Sequence, residues 1–299
     1  MTIRGTTALI AHIGFPTHGF KSPLVYNPYF EQAGIDAVVV PMGCRAEHFP
    51  AVLAAVFTLT NIRGALVTMP HKMAAAALLN EASAAVRIAG SCNAVRRLED
   101  GRLHGDLFDG EGFVRALQRK GCRLAGARAL VIGAGGVGSA IAASLAAAGT
   151  RAIALFDIRP ERARELANRL QSFFPNLEVT TDANDPAGRD IVVNATPLGA
   201  HEDDPLPVNV ARIETSAWVG EVVMTPDVTP LLTAAQARGC RVQAGADMLF
   251  EQIPAYLEFF GFPGTTPEHL RQLARRSLSF ESQRPLGYDT QRHRDTENS

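Results

Sequence analysis

The stretch RALVIGAGGVGSAIAASLAAAGTRAIALFD, residues 128–157, decides the fold of this chain. Residues 129–132 are a short apolar run of the kind a buried parallel strand carries. Gly133, Gly135 and Gly138 then spell G-x-G-x-x-G. The alanine-rich run 139–148 favours helix, and Gly149 stops it. Residues 152–156 read as a second strand, ended by Asp157. Strand, glycine turn, helix, strand and terminal acid together form a dinucleotide-binding fingerprint. Gly133 permits the tight turn, Gly135 lets backbone approach a pyrophosphate, and Gly138 lets helix and strand pack closely. Ala134, Gly136 and Val137 belong to the same phosphate cradle. Asp157 stands about twenty residues past the last glycine, where an acid bonds the adenine ribose hydroxyls. It repels the 2'-phosphate of NADP, so NAD is expected and NADP disfavoured. Arg159 and Arg162 follow it and are able to accept a phosphate, which opposes that preference. The competing reading is a glycine turn that binds nothing, with Asp157 a solvated acid.

The 299 residues suit two domains with real apolar cores. A formal net charge of -1 points to neither nucleic acid nor an anionic membrane. Cys44, Cys92, Cys122 and Cys240 lie far apart, with no C-x-x-C pair. Neither a zinc site nor a disulfide framework is expected, which fits a cytoplasmic location. The first residues have no signal-peptide pattern, and no apolar run reaches the length of a membrane span.

Before the fingerprint, strands are expected at 7–13, 37–41 and 64–68. Helices are expected through 26–33, at 47–59, and from Pro70 through Leu79. Residues 91–97 and 103–105 are short strand-like pieces. This alternation implies an α/β domain with a mostly parallel sheet. A connecting helix follows at 112–120. After the fingerprint come a helix at 160–173 and strands at 178–180, 191–195, 217–223 and 241–244. A helix at 229–238 precedes the last of these strands. A helix at 248–260 is expected to return to the first domain. The fold class is therefore α/β: a discontinuous substrate domain, 1–108 with 246–280, plus a Rossmann dinucleotide-binding domain, 109–245. Residues 281–299 are polar and aperiodic and read as a disordered tail.

Several side chains are placed to carry chemistry. Lys72 lies two residues after Pro70, in the first turn of a helix, where the partly positive N-terminus disfavours a cation. That suits a proton acceptor; the alternative is a surface lysine. Asp109 precedes a helix and is either a catalytic acid or an N-cap. Asn93 is bracketed by strand-like residues and needs partners if buried. Thr68 either meets a ligand or caps the next helix. Gln252 shares a helix with Leu249, Ile253 and Tyr256, and either faces a ligand or water. His18 and His71 fall nearest these motifs. Neither has ligand spacing, so no metal is assigned.

Seven segments in order resemble the shikimate/quinate dehydrogenase family, over roughly residues 13–261. They are GFPTHGFKSP from Gly14, VTMPHK from Val67, AGSCN from Ala89, DGEG from Asp109, GAGGVG from Gly133, NATPLG from Asn194 and MLFEQ from Met248. The resemblance implies a catalytic pair, Lys72 with Asp109, and ring-hydroxyl ligands Thr68, Asn93 and Gln252. It also puts Asn194, Thr196, Pro197 and Gly245 beside the cofactor. Departures fall in one place. The family's S-x-S becomes Phe20 and Ser22, and its carboxylate-binding tyrosine becomes Met224. The asparagine before V-T becomes Leu66. The family's N-T-D-G reads Leu107-Phe108-Asp109-Gly110, which puts Phe108 in the substrate set. A carboxylate facing Phe20 and Met224 would lack donors.

The resulting expectation is an NAD-dependent alcohol dehydrogenase acting on a cyclic polyol or ketone with little carboxylate contact. Its partners would be small molecules, neither nucleic acid nor membrane, and a homodimer is compatible with the sequence. The first alternative is a true quinate or shikimate dehydrogenase, with Ser22 and an unforeseen donor holding the acid. The second is a non-catalytic sensor of NAD or a metabolite. The intact Lys72 and Asp109 argue against the second, since a sensor needs no proton-transfer pair.

Overall fold

The computed structural model describes residues 2–181, 183–226 and 228–281. Its first sheet is built from β1 (Ala8–Gly14), β2 (Ala37–Gly43), β3 (Ile62–Val67), β4 (Glu81–Ala82), β5 (Ala94–Arg97) and β6 (Leu103–Asp106). The order is β2-β1-β3-β5-β6-β4. β1 runs parallel to β2 and β3, and β4 parallel to β6, whereas β5 is antiparallel to both of its neighbours. The mostly parallel expectation holds, with β5 reversed. Helices α1 (Ser22–Gln32), α2 (Phe49–Val56), α3 (Lys72–Ala77) and α4 (Ala84–Ala89) connect these strands.

Three local expectations need correction. The helix expected from Pro70 begins at Lys72, because residues 68–71 close a turn in which His71 N–H donates to Thr68 O at 2.9 Å. The helix expected over 47–59 divides into a 3-10 turn, Ala46–His48, and α2, which Pro50 opens. α4 was not expected at all. It has Ser83 as N-cap, accepting from Val86 N–H at 3.3 Å, and Gly90 at φ 66 as its stop.

The second sheet follows the doubly wound plan. Its strands are β7 (Arg128–Ile132), β8 (Ala152–Phe156), β9 (Glu178–Thr180), β10 (Ile191–Asn194), β11 (Trp218–Glu221) and β12 (Arg241–Gln243), in the order β12-β11-β10-β7-β8-β9. All pairings are parallel. The order reverses between β7 and β10, and such switch points open a crevice for ligand at the strands' carboxyl ends. Helices α6 (Gly136–Ala147), α7 (Pro160–Phe173) and α8 (Pro230–Ala237) cover this sheet.

α5 (Asp109–Arg119), α9 (Gly245–Phe259) and α10 (Pro267–Glu281) join the two sheets. Ile253, Tyr256 and Leu257 of α9 share one apolar core with Ile10, Val39 and Leu66 of the first sheet. α10, to which sequence reading assigns no element, adds Leu270, Leu273 and Ala274 to that core. Its start signals are Thr266 and Pro267, and its apolar residues follow helical spacing. Beyond Glu281 the expected tail lies outside the described residues.

α5 packs at close range on both sides. A Cβ on Gly110 would fall 2.0 Å from Ala140 O of α6. One on Gly112 would fall 2.6 Å from Met248 O of α9. Glycine at both positions lets α5 wedge between the nucleotide unit and the returning helix. Gly110→Ala should therefore lower stability by about 1–3 kcal/mol, the usual range for overpacking. Gly5→Ala, where no atom lies within 4 Å, is the control. Thermal melting of the two variants checks this, and equal melting temperatures would refute the wedge.

Candidate active site

A cavity of about 320 Å³ opens between β1, the loop before α1, the β3–α3 turn, α5 and α9. Lys72 and Asp109 face each other in its wall. Lys72 Nζ donates to Asp109 Oδ2 at 2.5 Å, with side chains 19% and 7% exposed. The competing readings of both residues fail on this geometry. Asp109 is not the N-cap of α5; Phe108 holds that position, without a side-chain capping bond. Its carboxylate is thus free for Lys72, and a negative charge in the first turn of a helix is favourable. Lys72 is the first residue of α3 and turns inward instead of into solvent.

Thr68, Ser22 and Gln252 line the same cavity. Gln252 is only 7% exposed, and its Oε1 is enclosed without a partner. Phe20, Leu66 and Met224 line it too, and with Val67, Met248, Leu249 and Ile253 they are its apolar part. Asn93 and Phe108 lie behind the wall. Asn93 is buried, its Oδ1 accepting from Phe108 N–H at 3.0 Å and its Nδ2 lacking a partner. The placement of Phe108 in the substrate set is corrected. Its ring is 6% exposed and sits edge-on against Tyr256 and Phe259, because an aromatic ring gains more from the core than from a wet wall.

The glycine turn after β7 has the shape its motif requires. Gly133 has φ 101, and a Cβ on Gly138 would meet Gly133 O at 1.9 Å. At Gly135 a Cβ would meet nothing within 4 Å, so the turn is open where a pyrophosphate approaches. Ala134 N–H donates to Asp157 Oδ2 at 2.8 Å, and Arg159 N–H to Oδ1 at 2.9 Å, which fixes the carboxylate at the end of β8. These residues fit a dinucleotide. Thr196 and Pro197 follow β10 at the switch point, with Asn194 beneath them. Asn194 is fully buried, accepting from Thr196 N–H and hydroxyl and donating to Leu198 O, so it shapes the turn from beneath. Gly245 lets the start of α9 pass Val223 O, which a Cβ would approach to 2.2 Å.

Two family models match. One, described as shikimate dehydrogenase substrate binding domain, covers residues 13–95. The other, shikimate / quinate 5-dehydrogenase, covers residues 115–200. The shikimate dehydrogenase (NADP(+)) of Acidiphilium cryptum is 35% identical over 264 residues, 87% of this chain and 93% of that one. The chain belongs to the shikimate/quinate dehydrogenase family. It is thereby an oxidoreductase of the kind that acts on CH–OH donors. Two solved structures are similar in fold. Shikimate 5-dehydrogenase of Listeria monocytogenes, in complex with shikimate and NAD, has a TM-score of 0.85 and 26% identity, covering 91% of this chain and 98% of that one. The 5-ketofructose reductase of Gluconobacter sp. strain CHM43 has a TM-score of 0.82 and 25% identity, covering 90% and 98%.

Sequence reading of this family member misses four polar wall residues, His12, Lys21, Tyr26 and Tyr256. Lys21 reaches the cavity from the loop before α1. His12 reaches it from β1, with its ring stacked on Phe20 at a centroid distance of 4.1 Å. A lone histidine in an apolar strand reads as core, and nothing in the local pattern distinguishes it. The histidines nearest the motifs do less. His71 is buried, stacked on Phe49 and bonded through Nε2 to Cys44 O, and His18 is exposed. Among the described residues no cluster is placed to hold a metal, and no helix is long and apolar enough to cross a membrane.

Burial pushes the His12 imidazole down from 6.5 to about 4. The folded protein thus refuses a proton that the unfolded chain accepts. His12 costs no stability above pH 6.5, and the penalty grows as pH falls toward about 4. Its full size is on the order of 3 kcal/mol. His12→Phe removes this penalty, so its melting temperature should fall less than that of the native protein across this window. Parallel falls would show that His12 titrates normally.

Proposed function

We propose that this protein is an NAD-dependent dehydrogenase that reversibly oxidises a ring hydroxyl of a cyclic polyol, with weak or no contact to a carboxylate. The observation that carries the reading is one cavity with two characters: the Lys72–Asp109 pair in its wall, and Phe20, Leu66 and Met224 elsewhere in it. The 5-ketofructose reductase supports it, since the substrate in that protein's name is a carboxylate-free keto sugar. The same proposal takes the two domains as 1–108 with 246–280 and 109–245. Four cysteines, all free and buried, support a cytoplasmic setting.

When bound, the nicotinamide cofactor exchanges a hydride with the carbinol carbon. Lys72 handles the proton of the adjoining oxygen. The ion pair is the protonated form of the lysine, which delivers a proton to a carbonyl oxygen in ketone reduction; oxidation runs the step backwards. Asp109 orients the ammonium group and balances its charge. Thr68 and Gln252, with Asn93 behind them, fix a neighbouring hydroxyl, and orientation matters as much as proton transfer. Lys72→Ala or Asp109→Ala should lower kcat about 10²- to 10⁴-fold. Cofactor affinity, read by fluorescence titration, should hardly change. Retained turnover in Lys72→Ala would sink the mechanism and favour a sensor.

The Acidiphilium cryptum relative carries NADP(+) in its name. The fixed carboxylate of Asp157 instead supports NAD, since a negative charge there would repel a 2'-phosphate, while exposed Arg159, whose N–H donates to it, is the cation that opposes this preference. NAD should give a higher kcat/KM than NADP, and Asp157→Ser should narrow the gap. Equal use of NADP by the native protein would refute this.

Shikimate or quinate is the second reading, and Lys21 favours it as a cation that a carboxylate could meet. Steady-state kinetics separates the two. Poor shikimate turnover, improved by Phe20→Ser with Met224→Tyr, supports the apolar reading. Efficient native turnover, lost in Lys21→Ala, supports the carboxylate reading.

A further inference from the structure

We propose that His12 reads the substrate, its imidazole forming one hydrogen bond with an uncharged hydroxyl or carbonyl oxygen at the Phe20 end of the cavity. This rests on the proposed function and names the substituent that the site takes there. The register of the first sheet places the group. His12 of β1 pairs with Leu66 of β3, and partners in parallel register project from the same face. Both line the cavity. Leu66 occupies the position where the family pattern has an asparagine, so the adjacent strand returns a polar side chain to a face that has lost one.

The imidazole is built in, being 7% exposed and stacked on Phe20 with an interplanar angle of 25°. Nδ1 is walled in and has no partner, which leaves Nε2 as the nitrogen that can reach the cavity. Nε2 has no hydrogen bond to the described residues, so an oxygen at this end of the cavity is the partner open to it, whereas the enclosed Nδ1 gains nothing from a ligand. Desolvation also keeps the ring neutral, its pKa pushed down to about 4. One neutral ring suits a hydroxyl or carbonyl oxygen. A carboxylate gives up a larger hydration shell than one such donor replaces. Of the charged groups on the same wall, among the described residues, Lys72 and Asp109 hold each other, and exposed Lys21 is the one cation left to a carboxylate, which the Lys21→Ala kinetics tests.

The competing role is packing alone, as a flat ring beside Phe20. Two variants separate the roles. His12→Phe keeps the ring and loses the nitrogens; His12→Gln keeps a hydrogen-bonding group and loses the ring. The probes are shikimate and its methyl ester, which replaces the carboxylate by an uncharged carbonyl. KM and kcat are measured for each with NAD, and melting temperatures confirm folding. The native protein should show the lower KM for the ester. His12→Phe should raise that KM about tenfold, the size of one neutral hydrogen bond, with kcat nearly unchanged. His12→Gln should recover most of the loss. A KM within about twofold of native in His12→Phe, or no recovery in His12→Gln, overturns the proposal. Where turnover is too slow, calorimetric Kd replaces KM, and no binding of the ester by the native protein also overturns it. Lys72→Ala, run alongside, keeps the two readings apart. Loss of kcat there with an unmoved KM in His12→Phe defeats His12 alone, whereas retained kcat there defeats the dehydrogenase reading alone.

Discussion

The close approach of α5 to α6 and α9 is the constraint on which the rest of the structure depends. Gly110 and Gly112 give that helix no side chains where it meets Ala140 O and Met248 O. The helix can therefore carry Asp109 to the junction between the nucleotide unit and the first sheet. Lys72 arrives from the first sheet, at the end of the β3–α3 turn. Their 2.5 Å contact thus links the β3–α3 turn of the first sheet to the start of α5. A carboxylate as buried as Asp109 is strongly unfavourable without a partner, so the pair also fixes how the turn and the helix meet. The proposed proton-transfer pair and the docking of the two sheets share one interaction.

The second sheet was legible almost throughout, because each of its elements has one periodicity and a clear stop. Helix 160–173 and strand 178–180 match α7 and β9 in both bounds. The first sheet was harder. β4 has two residues and α4 six, too few to establish a period. The direction of β5 is a property of its partners, β3 and β6, and its own residues do not carry it. α10 has the spacing of a helix but few apolar residues, and its stability comes from docking on α1 and α9.

In the site, the residues easiest to place were those with a mechanical reason for their position. Lys72 begins a helix and Asp109 begins another, so sequence alone could place both near turns. It could not say whether Asp109 caps a helix or pairs with Lys72; only the direction of the carboxylate decides that. Phe108 and Asn194 stand at motif positions yet point away from the cavity or are spent on the backbone of a turn. His12 is the opposite case. It belongs to no motif, and its relevance comes from lateral register with Leu66, which one strand read by itself does not contain.

That register bears on how one scaffold serves several substrates. A fold fixes where the hydride and proton move, while the walls around them decide which molecule fits. In this chain the Lys72–Asp109 pair sits on α3 and α5, whereas the wall residues Leu66, Phe20 and Met224 come from β3, the loop before α1 and the segment after β11. Those three sources can change without disturbing the helix contacts that hold Asp109. When a polar side chain is lost from β3, the neighbouring strand can supply another to the same face, because parallel partners present their side chains together. The substitution is not equivalent in chemistry. An asparagine offers both a donor and an acceptor, whereas a neutral imidazole with one walled-in nitrogen offers a single hydrogen bond. Moving the polar group one strand sideways therefore narrows what the cavity can satisfy, and it favours substituents that need only one partner.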